Sequence, residues 1–219
     1  MLNEKQIEKN YHDYKKFLTS YIQRDGLENF FYWLDKTDAK TAPASTKYHG
    51  SYAGGYIEYV LKVFYRLIDL LKLEYPEKIE KNEETGEEVV INTNPYSKGT
   101  IAFVALLHAI NKVNYYAVDY KNVKDENGTW NRVPYYRVAD NTVFYGEATD
   151  NAIYTLHQFF NLNYEEEIAI KYCMGLVGND SKFAESNMFK AYKISRLALL
   201  LNQAIMYVIC TEENNVENN

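Results

Sequence analysis

Leu106-Leu107-His108-Ala109-Ile110-Asn111-Lys112 is the stretch on which the fold turns. Phe103, Leu106, Leu107 and Ile110 surround His108 with apolar neighbours, so Thr100 to Lys112 reads as one central buried helix. On such a helix a lone histidine reads as a hydrogen-bonded core residue. Were position 109 an aspartate, the imidazole and the adjacent carboxylate would face one cavity and hold a divalent ion that makes hydroxide from water. Alanine offers no ligand.

Upstream, Ala42-Pro43-Ala44-Ser45-Thr46-Lys47-Tyr48-His49 precedes Tyr52-Ala53-Gly54-Gly55-Tyr56-Ile57-Glu58-Tyr59, and the glycine pair permits a tight backbone approach before a helix. Downstream stand Tyr145-Gly146-Glu147, Ile170-Lys171-Tyr172-Cys173-Met174-Gly175 and Leu201-Asn202-Gln203-Ala204-Ile205-Met206. Together these segments resemble the HD superfamily of metal-dependent phosphohydrolases, in particular phage and prophage HD-domain proteins. They are also similar to bacterial HD-type 3′→5′ exoribonucleases. The resemblance spans residues 40 to 209, and the opening heptapeptide stands where such a domain reads Leu-Leu-His-Asp-Ile-Gly-Lys. Carried over position by position, the family's ligand set His, His, Asp, His, His, Asp becomes Tyr59, His108, Ala109, Glu147, Cys173 and Ile205. Only His108 is retained.

The resemblance implies a mostly α fold, an HD-domain-like helical bundle with one β-hairpin insertion. Residues 1–40 form an N-terminal helical segment packing on the domain, 41–210 the HD-like domain with its hairpin at 114–138, and 211–219 a polar tail. With five of six ligands replaced, the expectation is a catalytically inactive protein, a pseudoenzyme with no metal and no cofactor. It would be phage-encoded and work through a protein partner as an accessory, virion or anti-defence factor. An alternative is a binding module that holds a nucleotide or other small phosphorylated ligand between Lys47, His49, His108 and Lys112. A further alternative keeps hydrolysis in a remodelled site, with His108, Glu147 and Cys173 holding a metal such as zinc beside a fourth group. A soft thiolate suits a different metal from that of an HD site.

Composition limits the partners. The 219 residues, 47% hydrophobic and 25% charged, suit one soluble globular domain. The net charge of −6 and the lack of a dominant Lys/Arg cluster argue against strong non-specific nucleic-acid binding, which draws its affinity from counterion release. Lys15-Lys16 and the stretch from Lys182 to Arg196 read as solvated helix faces. Twenty-two tyrosines accompany many Asn and Lys, a bias that an AT-rich coding sequence also produces. Cys173 and Cys210 lie in apolar helical patterns, outside any disulfide or metal spacing, which fits a reducing compartment. The opening Met1-Leu2-Asn3-Glu4-Lys5-Gln6 has no apolar signal core, and no run is long enough to span a bilayer. The expected location is the cytoplasm, that of a host cell or a virion if the chain is phage-encoded, with no membrane contact.

Apolar periodicity predicts helices over residues 4 to 23, Leu27 to Leu34, Tyr56 to Leu73, Asp150 to Phe160, Tyr164 to Cys173 and Phe189 to Cys210. The first carries a stripe of Ile7, Tyr11, Tyr14, Phe17, Leu18 and Tyr21. Residues 74 to 98 read as an exposed polar excursion with one short strand at Val89-Val90-Ile91. Asn114 to Val123 and Trp130 to Val138, joined by Asp125-Glu126-Asn127-Gly128, read as a hairpin. Glu165-Glu166-Glu167 is a carboxylate run suited to a helix start, and His157 a surface residue. Glu58 points along a different helical direction from Tyr59 and cannot replace the missing histidine. No Walker loop, Gly-x-Ser-x-Gly elbow or His-Glu-x-x-His motif occurs.

Overall fold

The computed structural model describes residues 2–81, 87–140, 142–143, 146–176 and 181–213. Helix α1, Glu4–Tyr21, starts at a reciprocal cap in which Asn3 Oδ1 accepts from Gln6 N and Gln6 Oε1 accepts from Asn3 N. Of its predicted stripe only Tyr14 and Leu18 are fully buried, and Tyr14 Oη donates to the Leu106 carbonyl at 3.3 Å. Helix α2, Leu27–Leu34, brings Phe30 and Trp33 against Phe159 and Phe160 at ring separations of 5.3–5.5 Å.

The loop before helix α3, Gly55–Glu74, folds back on itself, with Ala44 N donating to Gly50 O and Tyr56 N to Ala42 O. Both glycines are required there. Gly54 sits at φ +81°, and a Cβ on Gly55 would come within 2.0 Å of the Gly50 carbonyl oxygen. This crossing sets His49 beside the first turns of α3.

Helix α4, Lys98–Leu107, is capped by Ser97 Oγ, which accepts from Thr100 N, and every residue from Ile101 to Leu107 is buried. It packs on α1, α3, α6 and α8 and so forms the centre of the bundle. The single helix predicted to Lys112 does not exist: α4 stops at Leu107, and a separate 3₁₀ turn covers Ile110–Lys112. His108 supplies the reason. Its Nδ1 donates at 2.9 Å to Ala105 O, the carbonyl that Ala109 N would need to continue the helix, and Ala109 leaves the helical region at φ −110°, ψ 22°.

Two short antiparallel ribbons project from the helices, where one hairpin was expected. Strands β1, Lys78–Lys81, and β2, Glu88–Ile91, pair within the polar excursion, and β3, Tyr116–Lys124, pairs with β4, Trp130–Val138. The first ribbon was half-read because Lys78-Ile79-Glu80-Lys81 carries no strand signal of its own.

Helices α5, Ala148–His157, and α6, Tyr164–Tyr172, follow. The helix predicted over Phe189 to Cys210 is two, α7, Lys182–Ile194, and α8, Arg196–Glu213, meeting at a bend of 111°. Buried Ser195 makes the corner, in extended conformation, accepting from Ala198 N at 3.0 Å as the cap of α8 and donating to Glu165 Oε1. Glu213 closes α8, so residues 211–213 are helical rather than tail, while 214–219 lie outside the described residues. No single described helix is long and apolar enough to cross a membrane.

One hydrophobic core joins α1 and α2 to the later helices. The Arg24 guanidinium crosses it, lying 4.4 Å over the Phe103 ring and binding fully buried Glu166 with both nitrogens at 3.0 and 2.6 Å. The predicted carboxylate run divides its work: Glu166 also accepts from Asn163 N, Glu165 holds Ser195, and Glu167 meets His157 at 2.9 Å.

Candidate functional site

Four of the elements that carry the motif positions pack on one another: α3 with Tyr59, α4 ending at His108, α6 ending at Cys173, and α8 with Ile205. Tyr59, His108, Ala109, Cys173 and Ile205 are all buried.

The closest contact is Tyr59 Oη to His108 Nε2, 3.0 Å. A carbonyl can only accept, so the bond to Ala105 O assigns the ring proton to Nδ1, and Nε2 then accepts from the phenol. The lone pair that a metal would use is thereby occupied by protein. Burial, with the nearby Lys112 ammonium as a lesser cause, holds His108 down at about 4, so the ring is neutral at physiological pH.

His49 also stands against Tyr59, ring centroids 5.1 Å apart. Burial and Lys112 lower it too, to about 4, and its Nδ1 is buried with no hydrogen-bond partner among the described residues. Half-buried Lys112 turns its ammonium inward, donating to Ala44 O at 2.6 Å, and burial brings it down to about 8. Tyr116 Oη donates to the same Ala44 oxygen at 3.3 Å, a member of the cluster that sequence reasoning missed because nothing in its own segment marks it. Burial pushes the Cys173 thiol up to about 12, so the free side chain is protonated at neutral pH.

Two predicted residues lie apart from this cluster. Lys47 is exposed, its ammonium 5.7 Å from the Tyr48 ring. Glu147 stands at the start of α5 with its carboxylate on Lys171 at 3.1 Å, and Lys171 also meets Asp150 at 2.7 Å. Tyr145, of the same motif, is outside the described residues. Glu58 accepts from Tyr52 Oη at 2.6 Å and pairs with Lys62.

The donors do not fit a metal. The retained imidazole nitrogen is bound to a phenol, the thiol is protonated, and the carboxylate lies elsewhere. Among the described residues no three or more His, Cys, Asp or Glu side chains converge as a metal-binding group. Clefts among the described residues include one of ≈ 270 Å³ beside Trp33, Asn111, Tyr115 and Thr142, one of ≈ 290 Å³ between Phe64, Leu71, Tyr75 and Tyr96, one of ≈ 180 Å³ at Glu147, Lys171, Tyr172 and Gly175, and an open one of ≈ 500 Å³ along Tyr11 and Lys15. None of these is lined by Tyr59, His108 or Cys173. Compared with protein-family models, curated proteins and solved structures, the chain matches none.

Proposed function

We propose that this chain is a non-catalytic, HD-domain-like protein of phage type that acts by binding another protein. One observation carries the reading: the Tyr59 phenol occupies the Nε2 lone pair of His108 inside a packed interior. A hydrolytic metal site needs open ligands around a water, and here side chains fill that space with one another. The mutual packing of α3, α4, α6 and α8 supports the likeness to an HD bundle. Protein purified without chelator should carry less than a stoichiometric amount of manganese, iron or zinc by elemental analysis. It should leave nucleotides, cyclic nucleotides and single-stranded RNA intact with manganese added. Hydrolysis or bound metal that disappears in His108→Ala would sink the proposal.

A second reading, retention of a phosphorylated ligand without cleavage, is favoured by the unpartnered His49 Nδ1 and by an ammonium on Lys112 whose acceptor is one carbonyl. Calorimetric titration with inorganic phosphate and nucleoside monophosphates decides it. Binding lost in both His49→Ala and Lys112→Ala would establish this reading, and no heat up to millimolar ligand would remove it.

A further inference from the structure

The β3–β4 ribbon stands largely uncovered among the described residues. None of its strand residues is buried, and an isolated two-stranded sheet is marginal in water unless something packs on it. Its two faces differ. Register sets Asp119 opposite Tyr135 and Ala117 opposite Arg137. On that face Asp119 accepts from Tyr135 Oη at 3.4 Å and from Arg137 Nε at 3.1 Å, so the polar groups satisfy one another. The other face pairs Val118 with Tyr136, Tyr120 with Pro134, Asn122 with Arg132 and Lys124 with Trp130. It holds aromatic and apolar groups, two cations and no carboxylate. Arg132 lies 4.4 Å over the Tyr120 ring, Trp130 is 67% exposed and Val118 55%. Among the described residues neither Lys124 nor Arg132 has an ion-pair partner.

The ribbon's edges are less available than this face. Ala139 N donates to Tyr115 O and Asp125 N to Thr129 O at the two ends of the ladder. Alternation from either end puts Tyr120 and Pro134 in a pair whose backbone groups point outward. Pro134 therefore disturbs no ladder bond, yet it removes a donor from the outer edge of β4. On the β3 edge, Tyr120 N already donates to Asp119 Oδ1 at 2.7 Å. Both edges are blunted at the middle against strand addition.

We propose that the face bearing Val118, Tyr120, Lys124, Trp130, Arg132 and Tyr136 docks an acidic, amphipathic segment of a partner protein. The proposal deepens the reading of the chain as a binding protein and rests on it. Exposed Trp, Tyr and Arg are the residues that anchor protein contacts, and the two unpaired cations call for carboxylates on the partner. A nucleic acid fits less well. Two cations neutralise few phosphates, Asp125 and Glu126 lie in the adjoining turn, and the chain carries −6 overall. Nine-residue strands give a face about 30 Å by 10 Å, or about 300 Å². That is less than half of the ~800 Å² per partner typical of stable complexes, so the contact is transient and salt-sensitive.

The test uses the full chain and four probes: a labelled helical peptide of leucine and glutamate, its leucine–lysine counterpart, an oligothymidylate and phosphatidylserine vesicles. The acidic peptide should bind in the micromolar range and weaken with salt. Trp130→Ala, Arg132→Glu and Lys124→Glu should each reduce binding by about tenfold, whereas Arg132→Lys keeps most of it. Unchanged melting temperatures would separate this loss from misfolding, and the two charge reversals stand on different strands, in neighbouring pairs near the turn. Equal binding of both peptides, or binding indifferent to all three variants, overturns the proposal. So does tighter, variant-sensitive binding of the oligonucleotide or the vesicles, or self-association that the same variants abolish. Failure here with no hydrolysis removes only the ribbon, whereas hydrolysis dependent on His108 removes the underlying reading.

Discussion

The buried cluster around His108 and the β3–β4 ribbon both gather aromatic and basic side chains, but in opposite surroundings. In the cluster, buried Tyr59 and His108 meet half-buried His49 and Lys112, and burial together with the Lys112 ammonium keeps both imidazoles neutral. On the ribbon, Tyr120, Trp130 and Arg132 meet solvent, with the guanidinium over the Tyr120 ring. The same residue types therefore act as structural material in one place and as contact surface in the other. Burial, more than residue identity, decides which role a side chain takes.

The strongest way to break this contrast is a charge placed in the cluster. Ala109 is 4% exposed, and Lys112 is committed to Ala44 O. Ala109→Asp should destabilise by about 3–5 kcal/mol and lower the melting temperature by roughly 10 °C, because the carboxylate arrives with no metal and no free donor. A neutral or stabilising effect that depends on manganese would show a working metal pocket.

Acid should come next. The folded ring of His108 titrates at about 4 against 6.5 when unfolded, so between these values the unfolded chain binds more protons. Stability from this group is complete above pH 6.5 and is lost as pH falls toward 4, by roughly 3 kcal/mol at 1.36 kcal/mol per pH unit. Half-buried His49 adds a smaller contribution of the same sign. Urea unfolding from pH 7.5 to 4.5 reads the sum, and an NMR titration placing the His108 imidazole near 6.5 would contradict it.

Removing one oxygen is milder. Tyr59→Phe leaves His108 Nε2 buried without a donor and should lose about 1–2 kcal/mol in urea unfolding. If stability rises instead, the phenol is strained in place and does not satisfy the ring. At the low end, Trp130→Ala on the ribbon should change stability by no more than about 0.5 kcal/mol, since little of the side chain is covered. A loss of several kcal/mol there would mean that the ribbon is part of the fold rather than a surface carried by it.

Features governed by local chemistry were legible in the chain. Apolar spacing placed α2 from Leu27 to Leu34 and α6 from Tyr164 to within one residue of its end. The Asp125 to Gly128 turn placed the β3–β4 ribbon, and Gly54-Gly55 marked the close crossing before α3. What escaped was decided by single side-chain bonds between distant or competing groups. His108 taking the Ala105 carbonyl cuts α4 short, and Ser195 reaching Glu165 turns one apolar run into two helices. In the candidate site, the replaced ligands could be read from the motif positions, but the Tyr59–His108 bond links residues 49 apart and no local pattern announces it. Likewise Lys47, close to His49 in sequence, is carried away from the cluster by an exposed turn.

The Arg24–Glu166 pair has a consequence for synthesis. Its members are 142 residues apart, and at ~5–20 residues per second a ribosome needs roughly ten seconds or more to deliver the second after the first. Through that interval α1 and α2 have emerged, but Phe30 and Trp33 have no Phe159 or Phe160 to meet and Arg24 has no carboxylate to bind. Helix α1 finds α3 and α4 earlier, but α2 must wait as an aromatic, aggregation-prone nascent segment, and its folding is completed only when α6 leaves the exit tunnel.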